Sequence, residues 1–445
     1  MDPLPVTNDR ETAAPSLPEV HRSVAIPAKA GFWRKALAFS GPGFLVAVGY
    51  MDPGNWATDI AGGSRFAYQL LSVLMISNLM AILVQALAAR LGIATQMDLA
   101  QACKAHYSRR TSLVLWVFCE IAIAACDLAE VIGSAIALNL LFHIPLLIGV
   151  CLTALDVLAI LYLQHKGFRY LEAVVVTLIG IIGGCYLVEL LLVHPNAVAI
   201  AKGFVPSTQI LTNPDMLYIA IGILGATVMP HNLYLHSSLV QTRAIARTAE
   251  GMRTAVRYNF LDSFVALNFA FLINAAILIM AAGTFHRAGY TQVAEIQDAY
   301  HTLTPLLGTQ LAAILFAVAL LCSGQNSTLT GTLAGQIVME GFLNLRLAPW
   351  LRRLITRALA IIPAVITVIL FGSAGTAKLL ILSQVVLSLQ LSFAVVPLVQ
   401  FTSDRRKMGE FVNPLWLKLL AWFSAVVIAG FNAYLLVVTV RDWLK

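Results

Sequence analysis

The sequence predicts an all-α polytopic membrane protein with eleven transmembrane helices. Its core is a five-plus-five inverted repeat whose first and sixth spans are unwound. Three observations lead there. Of 445 residues, 59% are apolar and only 11% charged, whereas soluble domains carry nearer a quarter of charged residues. Apolar runs of spanning length recur eleven times, near 38–60, 68–92, 112–140, 144–164, 170–193, 216–240, 260–283, 308–341, 354–373, 377–401 and 415–440. Finally, the first and sixth runs are each interrupted by Pro-x-Asn, at Pro53/Asn55 and Pro230/Asn232. Five spans separate the two interruptions, and an odd number of helices per repeat inverts the second copy relative to the first.

Residues 1–36 are polar and rich in proline and charge, and lack the short apolar core of a signal peptide. They are expected to be a disordered cytoplasmic tail. The first repeat is then expected over 37–193, the second over 216–401, and the eleventh helix over 414–445. Lys and Arg set the orientation: about 22 fall on the side shared with the N-terminus and about 6 opposite. This places the N-terminus in the cytoplasm and, with eleven spans, the C-terminus outside. The formal charge of +7 lies in short clusters between apolar runs, a pattern for anionic lipid and not for nucleic acid. The six cysteines form no C-x-x-C pair and read as small packing residues.

The chemistry concentrates at the two interruptions. In Gly49-Tyr-Met-Asp-Pro-Gly-Asn-Trp56, Pro53 removes a backbone donor and Gly54 loosens the chain, so the helix should unwind. Carbonyls freed within a bilayer need partners. A cation suits them, with Asp52 supplying charge and Asn55 a neutral oxygen; a proline kink with a structural Asp–Asn hydrogen bond is the plainer alternative. In the sixth run Pro230 frees carbonyls a turn earlier, Ala226 among them, and Met229 projects a thioether toward the same gap. A sulfur ligand opposite a carboxylate tilts selection toward transition metals and away from Mg²⁺ and Ca²⁺. Gln384, in the tenth run, is a further candidate ligand. Asn274 and the Ser323–Thr328 cluster read as interhelical hydrogen-bonding groups.

His231 and His236 are five apart and do not share a helix face, and no His-Glu-x-x-His occurs. That excludes the zinc-protease pattern and, with no nucleophile–base constellation, disfavours an enzyme; imidazoles at this depth suit proton handling. Glu120, Asp127 and Glu130 are spaced seven and three, along one stripe of the third run. Such a row lines water or pairs with bases. It reads as a proton relay, as structural ion pairs with Arg352, Arg353 or Arg357, or as both.

Together, Asp52-Pro-Gly-Asn55 and Met229-Pro-His-Asn232 resemble the signature pair of the Nramp family, in its bacterial manganese-uptake branch. The resemblance runs from about Trp33 to the C-terminus and takes in Arg65-Phe66, Asp127-Leu-Ala-Glu130, Gly335–Gly341 and Ser383–Gln390. It implies the amino-acid/sodium-symporter fold plus an eleventh helix. It implies proton-coupled uptake of Mn²⁺ and Fe²⁺ across a bacterial inner membrane, with no resident cofactor and a functional monomer. Metal would be held by Asp52, Asn55, the Ala226 carbonyl and Met229, with Gly49, where some relatives have alanine, as a possible backbone ligand. Asp52, His231, Asp127 and Glu130 would serve the proton path, with Arg352 and Arg353 near its cytoplasmic end. Two alternatives remain open: an amino-acid symporter of the same fold, although Asp52 would repel a substrate carboxylate, and a magnesium-transporting relative, which would lack the methionine.

Overall fold

The computed structural model describes residues 15–443 apart from residue 28, 156–161, 163–165, 292, 294 and 346–347. Among the described residues eight helices are long and apolar enough to cross a membrane, and two shorter apolar ones occupy the fourth and ninth runs. The first run is the broken pair α2 (Pro42–Gly49) and α3 (Pro53–Phe66), preceded by the short α1 (Phe32–Phe39). There follow α4 (Leu71–Thr95), the short α5 (Leu99–His106), α6 (Arg109–Phe142), α7 (Leu146–Leu152) and α8 (Phe168–Val193). The sixth run is again a broken pair, α9 (Pro214–Thr227) and α10 (Pro230–Leu239). The chain closes with α11 (Ala249–Ala281), α12 (Ile296–Leu307), α13 (Gln310–Leu343), α14 (Pro349–Phe371), α15 (Thr376–Thr402) and α16 (Leu415–Trp443).

Local chemistry sets these boundaries. Asp98 and Gln101 form a reciprocal capping box at the start of α5. Ser108, Asn213 and Thr248 accept from the first free N–H groups of α6, α9 and α11. Pro53 and Pro230 each stand in the first turn of a new helix. There a missing N–H costs nothing, so each proline starts a helix where it would otherwise kink one.

The broken helices are the most enclosed part of the molecule: the span from Pro214 to Thr242 is 94% buried in its most apolar stretch, against 33% for α8 and α16. Their surroundings are α4 and α11 on one side and α6, α13 and α15 on the other. The outer faces of α8, α14 and α16 carry exposed Leu187, Leu191, Ile362, Ile366, Leu419 and Phe423, which suits lipid.

The N-terminal segment departs from the expected tail. Residues 1–14 lie outside the described residues, but from Ser16 the chain is docked. Leu17 is buried and its N–H donates to Glu340 Oε2 at 3.0 Å. Ser16 Oγ donates to Asp98 Oδ2 at 2.6 Å, and Gln336 Nε2 to Glu19 Oε1 at 3.2 Å. Val24 bridges to the chain beyond α10, donating to Thr242 O and accepting from the N–H of Ala244. An apolar residue inside a polar segment was enough to anchor it, and α1 then begins four residues before the expected tail ends.

Candidate metal-binding site at the paired helix breaks

The two breaks face each other. Asp52 is fully buried and caps α3, accepting from the Asn55 N–H at 2.7 Å through Oδ1. Its other oxygen, Oδ2, takes the Gln384 amide at 3.4 Å and the Cys126 thiol at 3.8 Å. Met229 is fully buried and packs with Ala122, Cys126 and Leu387. A methyl on Gly49 would sit 3.0 Å from Met229 Sδ, so Gly49 is what lets the thioether approach the first break. A methyl on Gly54 would overlap Gln384 Nε2, so that glycine makes room for the amide.

Backbone arithmetic identifies the free carbonyls. The helical partners of the Gly49 and Ala226 carbonyls would be the N–H groups of residues 53 and 230, and both are prolines. The other carbonyls around the first break are satisfied by protein. Tyr50 O accepts from Asn55 Nδ2 at 2.9 Å and from Asn274 Nδ2 at 2.6 Å, and Met51 O accepts from Ser323 Oγ. Asn232 Nδ2 donates to Val46 O at 3.2 Å, tying the second break to the first. Thus Asn274 and Ser323, read from the sequence as interhelical hydrogen-bonding groups, hold the break open.

Oxygens are left over. Asn55 Oδ1 and Gln384 Oε1 are buried with no hydrogen-bond donor among the described residues. With Asp52 Oδ2, the Ala226 carbonyl and Met229 Sδ they make a donor set of one charge, neutral oxygens and a soft sulfur. No three His, Cys, Asp or Glu side chains gather as a metal cluster among the described residues, so the site is not of zinc-enzyme type.

The expected proton-path residues separate into three groups. Asp127 and Glu130 are buried beside the site, and Cys126 spans the gap, with Sγ 3.8 Å from Asp52 Oδ2 and 3.5 Å from Glu130 Oε1. Cys126 was read as packing; its spacing of one turn before Glu130 was the available signal. Gly331 on α13 lets that helix close on both acids, since a methyl there would be 3.0 Å from Asp127 Oδ1 and 3.1 Å from Glu130 Oε1. Glu130 Oε2 faces Arg357 at 3.7 Å, a buried ion pair longer than a hydrogen bond. Arg357 also donates to Thr328 Oγ1 at 3.2 Å. The base opposite Glu130 is therefore Arg357; the side chains of Arg352 and Arg353 fall outside the described residues.

The second group is His236, joined to Gln85 Oε1 at 3.0 Å and Ser263 Oγ at 3.3 Å. Gln85 in turn donates to the Tyr50 hydroxyl at 2.9 Å, so His236 reaches the first break through two side chains. His231, one residue past Pro230, is buried with Nδ1 unpaired among the described residues. Glu120 stands apart: it is half-buried and accepts from the Trp116 indole N–H one turn earlier at 3.0 Å.

The model of the family described as natural resistance-associated macrophage protein-like matches residues 43–438. The chain belongs to the Nramp family. Similar proteins include the "Divalent metal cation transporter MntH" of Nostoc sp., 64% identical over 430 residues and covering 97% of each chain. The protein of the same name from Listeria monocytogenes is 63% identical over 429 residues, covering 96% of each. Among solved structures, the Eremococcus coleocola manganese transporter is 44% identical with a TM-score of 0.88, covering 94% of this chain and 90% of that one. The nucleobase-cation symporter Mhp1 in a closed conformation, 13% identical with a TM-score of 0.63 over 98% of this chain and 95% of that one, shares the fold alone. The Nramp architecture is thus the all-helical symporter fold expected from the sequence.

Proposed function

We propose that this Nramp protein carries divalent transition-metal ions, Mn²⁺ and Fe²⁺ foremost, into the cell together with protons. The observation that carries this reading is the donor set at the facing breaks. A buried carboxylate lies among amide oxygens that lack donors among the described residues, a proline-freed carbonyl and a thioether. The sulfur favours a transition metal over Mg²⁺ or Ca²⁺. The names of the similar proteins point the same way.

Metal and proton part company at Asp52. The cation is held between Asp52, Asn55, Met229 and the Ala226 carbonyl, with Gln384 and Gly49 at its edge. A proton passes toward Asp127, Glu130 and Arg357 along α6, with Cys126 beside the first step and His231 and His236 on the α10 side. Access alternates as the broken pairs rock against α6 and α13 around the fixed site. The membrane is a bacterial inner membrane, the N-terminus lies inside and the C-terminus outside, and the monomer suffices.

Uptake into proteoliposomes of Mn²⁺, Mg²⁺ and alanine, measured side by side with internal pH, tests the proposal. Mn²⁺ accumulation with acidification of the lumen is expected. Alanine accumulation without Mn²⁺ uptake would select the amino-acid symporter instead.

A further inference from the structure

A second set of buried polar groups lies away from the helix breaks. Asp59 is seven residues beyond Asp52 in α3, two turns and about 10 Å on, along the same stripe. Glu189 is four residues from the end of α8 that leads to the outside in the orientation proposed above. Both side chains are buried, Asp59 at 1% and Glu189 at 0% exposure. Neither Glu189 oxygen has a hydrogen-bond partner among the described residues, and nor does Asp59 Oδ2.

The groups between them are also unpaired. Tyr186 stands one turn before Glu189 on α8, and Trp56 one turn before Asp59 on α3. Neither the Tyr186 hydroxyl nor the Trp56 indole N–H finds a partner. Trp56 packs edge-on against Tyr186 at 5.0 Å and against Phe316 of α13 at 5.2 Å. Four buried polar side chains are thus gathered along an aromatic wall, each with a polar atom that lacks a partner among the described residues.

Among the described residues no cation pairs with them. Near this level the other titratable groups are Cys185 of α8 itself and Cys322 of α13, which packs against it. The outer part of α11, residues 263–281, and all of α2 carry no titratable group. On α3 Asp52 acts on Asp59, and Arg65 is exposed near the helix end. A bare carboxylate without donor or counter-ion in such surroundings is far costlier than its protonated form. A metal ion would need several more oxygens than the aromatic wall supplies. A proton needs none.

We infer that Glu189 and Asp59, on either side of the packed Trp56 and Tyr186 rings, form a proton-binding site on the outer side of the metal site. A proton bound on either carboxyl removes the charge that this apolar, aromatic-walled environment disfavours. The inference rests on the proton-coupled reading and assigns its outward-facing stage, which the α6 acids do not cover.

The test uses full-length protein carrying Glu189→Gln, in proteoliposomes at fixed internal pH with external pH varied. Wild-type Mn²⁺ uptake is expected to rise as external pH falls, and the variant to lose most of that stimulation while Mn²⁺ binding in detergent persists. A variant whose external-pH profile superimposes on wild type overturns the inference, as does loss of Mn²⁺ binding by Glu189→Gln. Infrared difference spectra of the solubilised proteins at neutral pH add an arm independent of transport. A protonated-carboxyl band present in wild type and missing in Glu189→Gln is expected; its absence from wild type overturns the inference. A wild-type protein that takes up Mn²⁺ with no pH stimulation and no proton flux removes the coupled reading itself.

Discussion

Asp52 is positioned by three contacts of different kinds: a backbone N–H on Oδ1, and on Oδ2 a thiol and an amide for which Gly54 leaves room. As the one charge among the proposed ligands it should dominate affinity. Asp52→Asn is expected to weaken Mn²⁺ binding by calorimetry more than tenfold, about 1.4 kcal/mol or more; wild-type affinity would remove it as principal ligand. Met229→Ala should retain Mn²⁺ uptake yet admit Ca²⁺ or Mg²⁺ more readily in competition, because the soft donor is gone. Gln384 makes a more specific claim. If its amide oxygen is a ligand, Gly54→Ala, whose methyl displaces that amide, and Gln384→Ala should each weaken binding. Their double variant should then fall short of the sum, whereas additive losses would show independent roles.

At the scale of elements, the breaks are joints whose carbonyls are held by Asn55, Asn274, Asn232 and Ser323. Ser323→Ala leaves the Met51 carbonyl without its donor and should lower stability by about 1–3 kcal/mol, read as a lower Tm in detergent. The docked N-terminal segment makes a pH prediction. Burial raises the Asp98 carboxyl from its ordinary value to about 6, against the Ser16 hydroxyl bond that opposes the rise. The folded protein therefore binds more protons than the unfolded chain between pH of about 4 and 6. The stabilisation is fully present below that window and is lost as pH rises through it. Tm should fall as pH is raised from about 4 to 6, and Asp98→Asn should flatten that slope; parallel slopes would mean that another group is responsible.

Across the whole molecule, two groups of unpaired buried side chains bear on transport: the donor set at the breaks, and the aromatic-walled carboxylates of α3 and α8. A tighter ion pair lies away from both. Arg243 joins Glu172 at 2.6 Å and also donates to Ser40 O at 2.5 Å, clasping α8 to the start of α2 on the side proposed as cytoplasmic. The orientation itself is open to direct measurement: reporters fused at each terminus should show the N-terminus inside and the C-terminus outside.

Membrane class, the spans, the broken helices and the residues at the breaks are all legible in the sequence, because each depends on short-range facts. Twenty apolar residues, a proline without an N–H and a carboxylate within an apolar run mean the same in any fold. Cys126 and Arg357 were less legible, since a thiol and an arginine acquire a role only from what stands opposite. Glu120 shares a stripe with Asp127 and Glu130, yet it sits two to three turns away, beyond the reach of the buried neighbours. Periodicity gives direction around a helix but not the depth at which packing encloses it. The docking of Leu17 and the gathering of Trp56, Asp59, Tyr186 and Glu189 depend on segments more than a hundred residues apart. The sequence by itself determined what each segment is; tertiary packing alone decided which polar groups are enclosed together without partners, because burial and pairing belong to the whole chain.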